Sequence, residues 1–176
     1  MNIRLATSGD RDDIQRVHLC AFPEGERELV SKLAIDLLSE PTTPQTISLV
    51  AETDGMVVGH IAFSPVKIGS DECFKGYILA PLGVSPDYQR AGIGSMLVEY
   101  GMQKMSGMGI NMVFVYGDPE YYGRFGFSAG AAHQYATPYK LRYPSGWQAI
   151  VLNEADVAGS SAMITCVASL CDPGLW

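Results

Sequence analysis

Apolar positions along the chain follow two periods. Residues 2–6 have a short strand pattern, and 46–53 and 56–66 are runs rich in branched side chains. Asp54-Gly55 between those two runs is a strong hairpin signal. Elsewhere in the first third the spacing is helical. A helix over about 10–21 carries Ile14, Val17 and Leu19, and Thr7 and Asp10 before it have capping-box spacing. A second helix over about 24–39 sets Leu29, Leu33 and Leu37 four residues apart, with Val30 and Leu38 beside them. Pro41-Thr42-Thr43-Pro44 reads as a short connection, and Gly69-Ser70-Asp71 as a turn. Residues 77–84 form a nearly continuous apolar run, as a buried central strand should.

A long helix is expected over 92–107. Ser95, Glu99, Gln103 and Ser106 fall on one stripe, while Met96, Leu97, Val98, Met102 and Met105 cover much of the rest, so most of it should be buried. A strand at 111–116 follows, then a short helix at 119–125 with Pro119 in its first turn. Strands and loops fill 127 to about 169. The strand–helix–strand unit over 77–116 implies a right-handed parallel crossover, and the early hairpin implies antiparallel pairing. The expectation is an α/β fold with one mixed, twisted sheet of about six or seven strands and helices on both faces. No repeat, low-complexity tract or linker interrupts the chain, so residues 1–176 are expected to form a single domain.

Charge narrows the class. Twelve basic and nineteen acidic residues give a formal charge of -7. That balance disfavours nucleic acid and anionic membrane surfaces, which are bound mainly through clustered Lys and Arg. No window approaches the roughly 20 apolar residues of a membrane span. The start, Met1-Asn2-Ile3-Arg4-Leu5, does not resemble a secretory signal, so a cytoplasmic location is the expectation. Cys20, Cys73, Cys166 and Cys171 form no CxxC pair, and with only His18, His60 and His133 beside them no metal site is expected.

Chemistry concentrates in Gln89-Arg90-Ala91-Gly92-Ile93-Gly94, between the central strand and the long helix. Glycines let a backbone approach a ligand, and a helix start offers unpaired N–H groups with partial positive charge. Neither G-x-x-x-x-G-K-[ST] nor G-x-G-x-x-G is present, which argues against the common nucleotide and dinucleotide folds. Alone, the segment is equally a tight strand-to-helix turn.

Its flanks add more. The stretch from Leu79 to Gly94, with Val84-Ser85-Pro86-Asp87-Tyr88 before the glycine turn, closely resembles motif A of the GNAT superfamily of acyl-CoA-dependent N-acyltransferases. Gly117-Asp118-Pro119-Glu120-Tyr121-Tyr122-Gly123-Arg124-Phe125-Gly126-Phe127 resembles motif B, in the long form of a bacterial subfamily of predicted acetyltransferases. The resemblance covers about residues 2–130. It implies that backbone amides of Gln89, Arg90, Ala91, Gly92, Ile93 and Gly94, with Ser95 in the first helical turn, bind the pyrophosphate of acetyl-CoA. It also implies that the main chain of Leu82 and Val84 pairs with the pantetheine arm like an added strand, where two parallel strands splay apart.

Acyl transfer from a thioester to an amine needs a neutral nitrogen, a polarised carbonyl and a protonated leaving thiol. By its place in Tyr-x-x-x-Gly-Phe, Tyr122 takes the family's general-acid position, with Tyr121 read as packing. The Val84 N–H is the candidate to hold the carbonyl oxygen. Glu24, Glu26 and Glu28 are candidates for the base, with Glu26 favoured. His60 is read as structural or as facing the acceptor, Arg124 as a phosphate ligand or a surface residue, and Cys73 as without a role. Tyr135, Tyr139, Tyr143 and Trp147 near the carboxyl end are read mostly as packing, or as a wall for an apolar or cationic acceptor. The resemblance thus implies an N-acetyltransferase acting on a small-molecule or peptide amine, with a homodimer as a further expectation. A non-catalytic acyl-CoA sensor is the alternative, and an interaction domain that keeps the glycine turn for structure alone is a second.

Overall fold

The computed structural model describes residues 1–69, 71–154 and 162–176. In chain order the elements are β1 (Asn2–Leu5), α1 (Arg11–Ala21), α2 (Arg27–Ser39), β2 (Ile47–Thr53), β3 (Met56–Ile68), β4 (Asp71–Val84), α3 (Ile93–Gly107), β5 (Met112–Tyr116), α4 (Pro119–Gly123), α5 (Ala129–Ala132), β6 (Tyr135–Ala136), β7 (Trp147–Val151) and β8 (Ala162–Thr165). Hydrogen bonding links the strands in the order β1-β2-β3-β4-β5-β7, with β8 pairing both β3 and β6 off that path. The pairs from β1 to β4 are antiparallel, β4 and β5 are parallel across α3, and β5 and β7 are antiparallel. The sheet is therefore mixed, as expected.

Alternation along each strand sorts side chains to two faces. Leu49, Ile61, Phe63, Val113 and Val115 pack with Leu97, Val98 and Met105 of α3. Ala62, Ile78 and Phe114 point the other way and pack with Leu33 and Leu37 of α2. Ile14 and Val17 of α1 join Ala34, Ile35 and Val50 on that second face. Helices cover both sides of the sheet. On α3 the polar stripe is realised, with Glu99, Gln103 and Ser106 exposed and Leu97, Val98 and Met105 buried.

Boundaries moved where backbone chemistry overrides periodicity. The second helix begins at Arg27 rather than near residue 24, because Gly25 sits at φ 98°, outside the helical region. Glu26 and Arg27 instead donate their N–H groups to the Pro23 carbonyl at 3.1 Å each. The central strand starts at Asp71 rather than Tyr77, since β3 is long enough to pair it down to Ile68 opposite Asp71. In the turn expected there, Gly69 has φ 54°, and Ser70 lies outside the described residues. The short helix ends at Gly123.

Asp10 joins the first strand to the first helix. It is 6% exposed, and its carboxylate accepts from the Thr7 N–H at 2.7 Å, the Thr7 hydroxyl at 2.9 Å and two Arg4 nitrogens at 2.8 Å each. The Arg4 guanidinium holds the Asp10 carboxyl well below the usual carboxylate range, despite the opposing effect of burial.

Gly101 marks the tightest contact between α3 and the sheet. A Cβ placed there would lie 2.2 Å from the Phe63 ring, which is itself fully buried. Alanine is the better helix former by about 1 kcal/mol, but overpacking a filled core costs about 1–3 kcal/mol. Overpacking should win. Gly101→Ala is expected to lower the urea midpoint without changing the slope of the transition; an unchanged or raised midpoint would show that Phe63 moves aside at no cost.

Candidate active site

Strand β4 has neighbours of unequal length. It pairs with β5 only from Gly76 to Leu79, yet it stays paired to β3 as far as Val84. The register shifts where the two regions meet. Between the pairs Phe63–Leu79 and Ile61–Leu82, β3 contributes Ala62 alone while β4 contributes Ala80 and Pro81. This is a bulge on β4, and proline suits it because it has no N–H to offer a ladder. Beyond the bulge, the Ser85 N–H donates to the Val58 carbonyl at 2.8 Å, which turns the peptide groups of Ser85 and Gly83 toward β3. Those of Leu82 and Val84 consequently face the edge that β5 has left. The Val84 carbonyl is engaged there by the Gln89 side-chain amide at 2.9 Å.

The glycine turn comes next. Gly92 is the residue preceding α3, at φ 80°, and no side chain caps the helix start. Arg90 is also left-handed, at φ 61°. A Cβ on Gly94 would fall 2.7 Å from the Tyr121 hydroxyl, so glycine is required for that approach. Burial raises the Tyr121 hydroxyl above the ordinary phenol value, and the nearby Ser95 side chain opposes that. Arg124 is exposed, and its guanidinium lies 4.6 Å from the centre of the Tyr121 ring. Tyr121 thus ties the segment after β5 to the start of α3.

A cleft of about 800 Å³ opens in the splay. Ala80, Pro81 and Leu82 form one side, and Tyr116, Gly117 and Asp118 the other. Tyr122 and Glu26 both line it. The Tyr122 ring is held so close to Gly117 that a Cβ there would lie 2.5 Å from it. Burial pushes the Tyr122 hydroxyl well above the ordinary phenol value, and Tyr121 and Asp118 push it further in the same direction. Of the three candidate glutamates, Glu26 alone lines the cleft; Glu28 pairs with Arg27 at 2.9 Å on the surface, and Glu24 is exposed. Val84 and residues 89–95 do not line this cleft and lie beyond its Leu82 end along the chain. The expected residues therefore fall into two groups, Glu26, Leu82 and Tyr122 around the cleft, and Gln89 to Ser95 at the helix start.

Residues 11–127 match the model of the Acetyltransferase (GNAT) family. The chain belongs to the GNAT family. YjhQ of Escherichia coli K12, an uncharacterised N-acetyltransferase, is 36% identical over 140 residues, which is 78% of this chain and 75% of that protein. Among solved structures, YhbS of Escherichia coli in complex with CoA superposes with a TM-score of 0.81 at 28% identity, covering 96% of this chain and 90% of that one. A GNAT acetyltransferase of Brucella melitensis in complex with acetyl-CoA gives a TM-score of 0.69 at 31% identity, with 96% of each chain covered.

Within this GNAT fold, several side chains take places that periodicity does not reveal. His60 is fully buried in the core and does not face the cleft, which removes the acceptor-facing reading. Its Nε2 lies 2.8 Å from the Ser48 hydroxyl, and its Nδ1 lies 2.8 Å from Nε2 of His18, which is equally buried. The His18 ring fills the space beside Gly83, where a Cβ would come within 2.8 Å of Nδ1. Tyr135 and Trp147 are buried packing residues, joined by the bond from the Trp147 indole N–H to the Tyr135 carbonyl. Tyr143 differs, because it is 63% exposed and lines the cleft. Phe22, Arg142 and Trp176 also line it, and none of them sits in a motif that would single it out. Cys73 is exposed and does not line the cleft. Among the described residues no three His, Cys, Asp or Glu side chains cluster as metal ligands, and no helix is long and apolar enough to cross a membrane.

The histidine pair gives a pH signature. Burial lowers the His18 imidazole from 6.5 to about 4, and burial together with the His18 charge lowers His60 in the same direction. Below pH 6.5 the unfolded chain binds protons that the folded one does not, so stability falls as pH falls from about 6.5 toward 4. The expected loss from His18 is about 2 kcal/mol between pH 7 and 5, and His60 adds to it in the same direction. Asp10 stays ionised in both states over most of that window and contributes little to it. Urea melts of the His18→Gln/His60→Gln variant should show a much flatter pH dependence than the parent; equal slopes would mean that the imidazoles take up protons in the fold as readily as in the unfolded chain.

Proposed function

We propose that this chain transfers the acetyl group of acetyl-CoA to a primary amine by direct attack in a ternary complex. The observation that carries the reading is the open edge of β4 beside the uncapped start of α3. Strand-like peptide groups at Leu82 and Val84 suit the amides of a pantetheine arm, and the amides following Gly92 suit a pyrophosphate. The CoA and acetyl-CoA complexes of the YhbS and Brucella proteins support the same donor. In this reading Gln89, Arg90, Ala91, Gly92, Ile93, Gly94 and Ser95 form the phosphate end, and the cleft with Tyr122 and Glu26 holds the reacting groups.

An alkylammonium has a pKa near 10 and must lose a proton before it can attack. Glu26, at the mouth of α2, accepts it directly or through water. The nitrogen then attacks the thioester carbonyl, and negative charge develops on its oxygen; Val84, which lies outside the cleft, serves the pantetheine arm through its N–H rather than this oxygen. The C–N bond forms, the C–S bond breaks, the sulfur leaves with the electron pair, and the nitrogen, cationic after attack, loses its second proton to water. Tyr122 acts on that sulfur. Because its hydroxyl is less acidic than a thiol, whose pKa is near 8.5, full proton transfer is uphill. Tyr122 therefore stabilises the departing thiolate as a hydrogen-bond donor, and water supplies the final proton.

Removing that donor should cost what one hydrogen bond to a charged group is worth, about 10- to 100-fold in kcat. Tyr122→Phe is expected to keep the rise in melting temperature that acetyl-CoA produces while losing turnover by that factor. Undiminished turnover would remove the role of Tyr122. No stabilisation of the parent protein by acetyl-CoA would remove the donor assignment and leave the interaction-domain reading. Stabilisation without turnover of any amine would favour the sensor.

A further inference from the structure

The cleft carries two exposed charged side chains that form no ion pair among the described residues. Three charged residues line it, Glu26, Asp118 and Arg142. Asp118 is already used, since its carboxylate caps α4 by accepting the Glu120 N–H at 2.9 Å. Glu26 precedes α2 without making a side-chain cap. Among the described residues, Arg142 has no ion pair, and its guanidinium lies 5.5 Å from the centre of the Tyr143 ring. One free carboxylate and one free guanidinium thus share a small cleft.

Arg142 stands at the edge of a segment that is held in place. The next residue, Tyr143, donates its N–H to the Tyr116 hydroxyl at 2.8 Å. Gly117 donates its N–H to the Gly146 carbonyl at 3.0 Å, and a Cβ on Gly146 would lie 2.9 Å from the Gly117 carbonyl oxygen. Tyr116 in turn stacks on Trp176, with centroids 6.3 Å apart and planes 13° apart. Residues 143–146 are therefore pinned to the end of β5. The remaining wall is apolar, with Phe22, Leu29, Val30, Leu175 and Trp176 prominent in it. A volume of about 800 Å³ is of the size that holds small molecules.

We propose that the acceptor is a zwitterion, a free α-amino acid with an apolar or aromatic side chain. Its ammonium group faces Glu26, its carboxylate pairs with the Arg142 guanidinium, and its side chain rests on the apolar wall. Guanidinium and carboxylate match in geometry as two-point partners, and the contrast of one anion and one cation selects against simple amines and against amino acids with a second charge. A peptide terminus lacks the carboxylate at that position. The reaction balances as ammonium plus thioester giving N-acetyl amino acid, free thiol and one released proton. This inference rests on the acetyl-transfer reading and names the substrate class of the same site.

The test compares free L-phenylalanine, L-leucine and L-methionine with their carboxamides, following CoA release in the parent protein and in Arg142→Gln. The carboxamides keep the amine and the side chain but lose the anion. Their amines are also less basic, so the readout is the ratio of kcat/KM for acid over amide, compared between the two proteins at one pH. The expected result is that Arg142→Gln lowers this ratio by about 10- to 100-fold, mainly through KM for the free acids. An equal ratio in the two proteins overturns the proposal, as does turnover of the carboxamides alone. Acetyl-CoA stabilisation without turnover of any of these amines overturns it too and leaves donor binding standing. Absence of acetyl-CoA stabilisation instead removes the donor assignment on which the proposal rests.

Discussion

The unequal reach of the two neighbours of β4 is the constraint on which the rest of the site depends. A strand in the middle of a sheet has both rows of peptide groups used, and nothing can dock against it. Here β5 stops pairing at Leu79 opposite Val115, while β3 continues to Val84. The Ala80–Pro81 bulge falls where the two regimes meet. It shifts the register so that Leu82 and Val84 present their peptide groups to the vacant side. The segment after β5 diverges to leave the cleft, and the chain after β4 turns through Gly92 into α3. The cleft and the glycine turn are thus two results of one interruption in a parallel ladder.

The ionisable groups are arranged around that gap in a particular way. The formal charge is -7, yet the charges near the chemistry are few and individually placed. Behind β4 the sheet is supported by neutral polar groups, Ser48, His60 and His18, rather than by an ion pair. A buried ion pair must overcome a large desolvation cost, whereas neutral imidazoles that bond one another fill the same space at a smaller one. The acidic surplus lies mainly on exposed residues such as Glu24, Glu28 and Glu99.

Much of the fold could be read from the chain alone. Branched residues at 46–66 with Asp54-Gly55 between them, and the polar stripe of α3, correctly indicated the hairpin and the long helix. Local patterns failed where the decisive partner is distant. The early start of β4 depends on the length of β3, and the late start of α2 depends on the left-handed Gly25 just ahead of the leucine spacing. For the site, motif resemblance pointed to Glu26, Leu82 and Tyr122, which the fold brings around one cleft. His60 could not be judged, because its environment is set by His18 and Ser48, both remote in sequence. Arg142 and Trp176 were invisible for a similar reason. Nothing around them forms a pattern; the return of β7 beside β5 carries Arg142 to the cleft, and Trp176 arrives there by stacking on Tyr116.

Helix α4 is little more than one turn long, and adjacent side chains on a helix diverge by about 100°. Tyr121 consequently reaches the start of α3 while Tyr122 turns into the cleft, their rings meeting edge to face at 5.0 Å. Tyr121 beside Gly94 and Tyr122 beside Gly117 are consecutive residues of one turn that begins at the Asp118 cap, so a single helical turn sets the spacing between the glycine turn and the cleft.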